Sequence, residues 1–256
     1  MKDKENPMGM IKDPFAGDSY VLPSTFCTDQ RRLWFKRSNQ ILRFFMSSEW
    51  ALKECKKIYE NRLITQRGLS PDTPMRIQSS DGRSLILPAR VLLSGLASDV
   101  DVLCRQIFVM LYGSLETYLF ELIERSFKEI GQTEDILGKS LDIMMRGKWD
   151  AKIGKMNHIF ELNYRASDLM EHFKGFELNF MGNVFRNPLS FLDELAQIRH
   201  RIIHASSIID QGKLIYIDTR IFQGYYIFCA LLTDFTDNLF VNKFKFDRTE
   251  INPADA

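Results

Sequence analysis

From Asp29 to about Arg67 the chain runs without proline or glycine. Apolar residues recur there at Leu33, Ile41, Phe44, Phe45, Ala51 and Leu52 among charged neighbours. The pattern predicts a long amphipathic helix, broken once near "MSSEW". "GLSPDTP" ends it, and "MRIQSSDGRSLILP" sets two β-prone stretches around an Asp-Gly turn, which predicts a small hairpin. A second long helix is predicted from Ala89 to Gly131. Its middle, Ile107 to Tyr112, is apolar on every side, as suits a helix inside a core. Shorter helices fit Glu134 to Arg146 and Ala166 to Phe173, with a polar, lysine-containing stretch between them. Pro188 suits the first turn of a helix through "LSFLDELAQIRHRIIH". "SSIIDQGKLIYID" then reads as a second short hairpin, and Arg220 to Lys243 as a final helix rich in aromatics. Residues 1 to about 27, with Pro7, Pro14 and Pro23, read as an irregular arm. The fold class is therefore mainly α, divided into residues 1–88 (arm, long helix and hairpin) and a helical domain over residues 89–246.

Composition adds few constraints. The 256 residues suffice for one large domain, or a domain with an extension, and for a substantial core. With a formal net charge of +1, no global field draws in nucleic acid or membrane, so any polyanion site must be a local cluster. Cys27, Cys55, Cys104 and Cys229 are scattered and form no CxxC pair, which argues against a zinc knuckle or disulfide framework and suits a reducing cytosol. The opening "MKDKENPMGMIKDPF" lacks the apolar core of a signal peptide, and no apolar run approaches the roughly 20 residues that span a bilayer. The expectation is a soluble, cytoplasmic chain with no membrane partner. No Walker loop, GxGxxG fingerprint, GxSxG elbow or HExxH motif occurs, so no cofactor is expected.

The unusual chemistry lies in "FLDELAQIRHRIIHASSII". On a helical wheel, Phe191, Leu192, Leu195, Ile198, Ile202 and Ile203 share one broad arc, while Asp193, Gln197, His200 and His204 fall opposite. Arg199 falls inside the apolar arc. An unpaired guanidinium there is costly, so it needs a carboxylate, a phosphate or an interface. Three readings are open. Arg199 pairs with a buried acid while both histidines are solvated. Or His200 and His204 form an i, i+4 metal pair with Asp193. Or Arg199 and His204 are a catalytic pair for phosphodiester chemistry, histidine moving a proton and the guanidinium meeting the phosphorane's charge.

"RHRIIH" resembles the R-x4-6-H signature of the HEPN superfamily (higher eukaryotes and prokaryotes nucleotide-binding). "LDELAQIRHRIIHAS" has the leucine-rich lead-in of these domains, and "LCRQIFVMLYGSLETYLFEL" is similar to their first core helix. The resemblance covers roughly the C-terminal 155 residues. It implies a HEPN-like helical bundle, here with an N-terminal helical extension and short hairpins, that dimerises so two motifs face one cleft. Many members are metal-independent endoribonucleases acting as toxins, phage-defence effectors or RNA-processing enzymes. Others are catalytically silent scaffolds that bind RNA or protein. Arg199 matches the motif arginine, His200 the polar position after it, His204 the motif histidine, and Glu116 the helix-one acid, which is equally a candidate partner for Arg199. RNA is the implied substrate and a second copy the implied partner, with an inhibitory or defence-complex protein restraining the activity. Ser206 stands where members silenced by nucleotidylation carry a tyrosine, which argues against that regulation. Arg199 and His204 lie about 140° apart on a straight helix, and two motifs related by a two-fold axis can serve one cleft from different angles.

Two other segments mix cations and aromatics. "QRRLWFKR" reads as a solvated helix face in preference to an RNA contact. "RGKWDAKIGK" is the most basic stretch and makes Arg146, Lys148, Trp149 and Lys152 the candidate RNA-binding residues. The aromatics of "IFQGYYIFCALL" fall at helical spacing and are expected in the core.

Overall fold

A computed structural model describes residues 26–250, apart from 79, 133, 175–178, 181–182, 185–186, 205–207, 210–212, 215–216 and 218. The predicted arm therefore lies almost wholly outside the described residues, as does Ser206. The architecture is mainly α. In chain order it comprises β1 (Phe26–Cys27), α1 (Asp29–Tyr59), a π-helical segment (Glu60–Gln66), β2 (Pro74–Gln78), β3 (Ser84–Pro88), α2 (Ala89–Glu129), α3 (Glu134–Met145), α4 (Trp149–Phe160) and α5 (Ala166–His172). There follow β4 (Asn179–Phe180), β5 (Asn183–Val184), α6 (Pro188–His204), β6 (Ile208–Ile209), β7 (Lys213–Leu214), α7 (Thr219–Phe244) and β8 (Thr249–Glu250). Both predicted hairpins form, as antiparallel pairs β2–β3 and β6–β7. Two further pairs form that the pattern did not predict: β4–β5, and β1 with β8, which clips the two ends of the described chain together.

Local chemistry explains the helix ends. The Thr28 hydroxyl accepts from the Arg31 N–H at 3.2 Å and caps α1, with Asp29 in its first turn. The Asn187 side chain accepts from Leu189 N–H at 2.8 Å, and Pro188 opens α6 where no backbone donor is needed. Gly131, at φ 80°, closes α2 with a hydrogen bond from Gln132 N–H to the Phe127 carbonyl at 3.0 Å.

Three expectations need correction. α1 is continuous through "MSSEW" and widens into π-helix only at Glu60. α4 occupies the stretch expected to be polar loop. Gly147, Gly154 and three lysines hid it, although Trp149, Ile153, Met156 and Phe160 are buried at helical spacing. "QRRLWFKR" is not a solvated face, because Trp34 and Phe35 lie in the core and Arg31 is almost fully buried.

α1 and α2 run antiparallel, joined by Arg37 to Glu121 at 2.7 Å and Arg125 to Gln30 at 3.1 Å. α7 packs across this pair with the aromatics expected there: Phe222 meets Phe45, Tyr225 meets Phe108 and Phe228 meets Phe191. One connected core takes side chains from α1 through α7. Inside it, Arg31 reaches Asp234 at 2.6 Å, and His172 approaches the same carboxylate at 3.6 Å. Asp237 accepts from the backbone and hydroxyl of Thr28. Tyr118 donates to the Thr233 carbonyl at 3.1 Å. Among the described residues, no helix is long and apolar enough to cross a membrane.

Removing one partner of a buried ion pair strands the other charge, so Arg31→Met should cost about 3–5 kcal/mol in urea unfolding. The Arg31→Met/Asp234→Leu double variant should recover much of that loss. A single variant within about 1 kcal/mol of wild type would show that the pair is not holding α1 to α7.

Candidate functional site

α2 presents Tyr112 and Glu116 one turn apart on one face, and α6 lays Arg199 against both. The Arg199 guanidinium stands over the Tyr112 ring at 5.6 Å and reaches Glu116 Oε2 at 3.5 Å. This answers what an arginine does in the apolar arc of α6: its stem and ring contact are sheltered while its charge meets a carboxylate. Neither partner is deeply enclosed, with side chains 36% and 31% exposed. The wheel is corrected at one position, because Ile203 is 47% exposed although Ile202 beside it is buried in the core. Met110 likewise faces outward, so the middle of α2 is not covered on every side.

His200 and His204 are both exposed, their rings 4.6 Å apart between centroids. Asp193, the third donor a metal pair would need, instead accepts the Trp149 backbone N–H at 3.0 Å. Among the described residues, no three His, Cys, Asp or Glu side chains stand together as a metal's ligand set.

The basic stretch divides. Trp149 is buried, so it offers no face to a base. Lys152 lies over its ring at 4.5 Å. Arg146 and Lys148 are exposed, and Arg146 pairs with Asp142. Lys155 is spent on the Ile143 and Arg146 carbonyls at the end of α3, both at 2.8 Å. Of the four candidates, Trp149 joins the Arg199 neighbourhood through its side-chain hydrogen bond with Tyr112, and Lys152 joins it through its charge. Its charge and that of Arg199 both act on Glu116.

Electrostatics at the cluster are set mainly by burial. Desolvation raises the Glu116 carboxyl above its ordinary range, and the opposing pull of Arg199 and then Lys152 is smaller. The Lys152 ammonium is lowered, again by desolvation first, with Glu116 and Asp193 acting against it. The Tyr112 hydroxyl is held protonated by desolvation and by the charge of Glu116. Tyr112 and Trp149 hydrogen-bond to each other through their side chains, as do Tyr225 and Cys229, whereas Arg199 Nε is buried with no hydrogen-bond partner among the described residues.

Glu116 also lines an open groove of about 430 Å³ between α2 and α3, together with Thr117, Phe120, Gly138, Leu141, Asp142 and Met145. No residue of α3 was singled out from sequence, and the signal is indirect: Leu141 and Met144 are buried three residues apart, on one face of the helix. No family model, no curated protein and no solved structure matches this chain.

The sign of the Glu116 displacement can be measured. A carboxyl raised in the folded state takes up a proton more readily than in the unfolded chain, so its contribution to stability is present at low pH and is lost as pH rises through the folded value. Glu116→Gln should therefore gain stability relative to wild type as pH goes from about 4, the unfolded value, to about 7. Urea curves at stepped pH test this. The opposite slope would mean that Arg199 holds the carboxylate more strongly than burial disfavours it.

Proposed function

We propose that the chain is a metal-independent endoribonuclease of HEPN type, cleaving RNA through Arg199 and His204 at a cleft between two copies, and serving as a toxin or antiviral-defence effector. The observation that carries this reading is the setting of Arg199. It is seated on Tyr112, paired at 3.5 Å with a carboxylate that lines an open groove, with an exposed histidine pair on the same helix. A core arginine with a purely structural task would be locked to a buried acid away from any groove.

In this reading His204 takes the proton of a ribose 2′-hydroxyl as that oxygen attacks the adjacent phosphorus. Arg199 offers forked donors to the charge that gathers on the phosphorane oxygens. A second imidazole, His200 or one from the other copy, returns a proton to the departing 5′-oxygen. The products are a 2′,3′-cyclic phosphate and a 5′-hydroxyl. Glu116 and Tyr112 orient the guanidinium, and Lys152 adds positive field beside it. The divergence of Arg199 and His204 around α6 is met by a two-fold partner. The exposed side chains Met110, Phe120 and Ile203 supply an apolar rim for it.

Purified protein incubated in EDTA with tRNA and total RNA should cleave. His204→Ala should lower cleavage about 10²- to 10⁴-fold. Because His204 is exposed, the same change should alter stability by no more than about 0.5 kcal/mol. Activity abolished by EDTA and restored by Mn²⁺ would reject the mechanism. A folded His204→Ala protein that still cleaves fully would remove His204 from the chemistry, and a wild-type protein that binds RNA without cleaving it would favour a helical scaffold.

A further inference from the structure

The distal halves of α1 and α2 leave the core and end in the β2–β3 hairpin. Between Trp50 and Leu103, Ala89 is the one buried residue among those whose side chains are described. The hairpin lies roughly 40 Å along α2 from Glu116, at 1.5 Å per residue. This arm carries two unusual features. First, residues 56–90 hold seven cations against three acids, in a chain whose net charge is only +1. Each acid is taken: Glu60 by Lys56, Asp72 by Arg90 and Asp81 by Arg83. Arg62 and Arg67 are exposed with no acid partner among the described residues, and Arg76 has only the Ser84 hydroxyl at 3.3 Å.

Second, apolar and aromatic side chains are held out in water. Trp50 is 67% exposed and shares a helix face with Arg43 and Lys57, each two turns away. Tyr59 is also exposed, as are Leu85 and Ile86, which point to opposite faces of the hairpin. A two-stranded hairpin uncovered on both faces is marginal by itself, which suits a contact element better than a structural one.

We infer that this arm grips single-stranded RNA: Arg62, Arg67 and Arg76 meet phosphates, and Trp50 provides a platform for a base. The inference rests on the reading of the chain as a ribonuclease and names how the substrate is held away from the chemistry. Cations interleaved with exposed aromatics are the arrangement that binds single strands without sequence preference, each base stacking on a π-face while the backbone follows the charge.

The test uses the full chain in the cleavage-deficient His204→Ala form, with EDTA and a fluorescent 20-nucleotide oligouridine titrated at several salt concentrations. Adding Arg62→Ala, Arg67→Ala and Arg76→Ala should weaken binding at least tenfold at low salt. The slope of log K against log salt should shrink by about 2, three phosphate contacts at roughly 0.7 each. Adding Trp50→Ala instead should weaken binding several-fold with little change in slope. Unchanged affinity in the triple variant, or no RNA binding by its parent, overturns the arm's role. So does arm-dependent binding to phosphatidylserine vesicles with RNA binding unaffected, which would give the surface to a membrane. Arm-dependent RNA binding by the His204→Ala form, combined with no cleavage by wild type, would retain the arm and remove the nuclease reading alone.

Discussion

Helix α2 has more apolar surface than one neighbour can cover, and the rest of the fold follows from that constraint. Ile107, Phe108, Leu111, Tyr112, Leu115, Tyr118, Leu119, Leu122, Ile123 and Phe127 are all buried, and at 100° per residue they spread over about 200° of the helix circumference. At roughly 25 cal/mol for each Å² of apolar surface withdrawn from water, leaving such a helix on a surface would forfeit many kcal/mol. α1, α3, α6 and α7 therefore all pack against it. The strip left over faces outward through Met110, Gly113, Thr117 and Phe120, and Glu116 stands at its border with the core. A carboxylate at such a border is withdrawn from water enough to be displaced from its ordinary titration, yet it stays reachable.

That position gives Glu116 its bearing on Arg199. The guanidinium needs a partner because α6 turns it toward the core, and it finds one because Glu116 and Tyr112 are successive turns of the same neighbouring helix. The pair stays partly exposed, which keeps the desolvation cost moderate and leaves the charge available to an incoming anion. Lys152 reaches the same carboxylate from α4, whose first turn is tied to α6 by the Trp149–Asp193 hydrogen bond. Three helices, α2, α4 and α6, thus converge on one carboxylate. A shift of any of them would change the electrostatic field around that carboxylate.

The second polar centre has a different character. Arg31, Asp234, Asp237, Thr28 and Tyr118 are enclosed between α1, α2 and α7, and most of their polar atoms are satisfied by one another. Enclosed ion pairs add little net stability over apolar packing of the same volume, but they penalise any register that separates them. This one sets how α1 lies along α7. α1 in turn carries the arm outward in a fixed direction from the Arg199 cluster.

Periodicity determined most of the helices, because burial of one stripe per helix is a local demand that each segment answers by its own spacing. The long α1 and α2, the aromatic α7 and both principal hairpins were legible for that reason. The misfit of Arg199 was legible too, since a wheel shows which arc a charge falls in without knowing what covers it. α4 was not, because glycines and lysines masked four buried residues whose partners come from other helices. Trp149 looked like a surface aromatic in a basic stretch, and only packing against the rest of the bundle decided that it is core. The same holds for Trp34, Phe35 and Arg31. The choice of Glu116 over other acids, the joining of Lys152 to it, and the groove beside Phe120 are contacts between residues far apart in the chain. Their existence depends on how helices cross, which no single segment encodes. The HEPN resemblance rests on two helices and a short motif, so it speaks to chemistry at Arg199 and His204 and is silent about the arm. There, a surplus of cations was always visible in the composition of residues 56–90. What tertiary structure decided is that the core never reaches them, so their charge is left facing water.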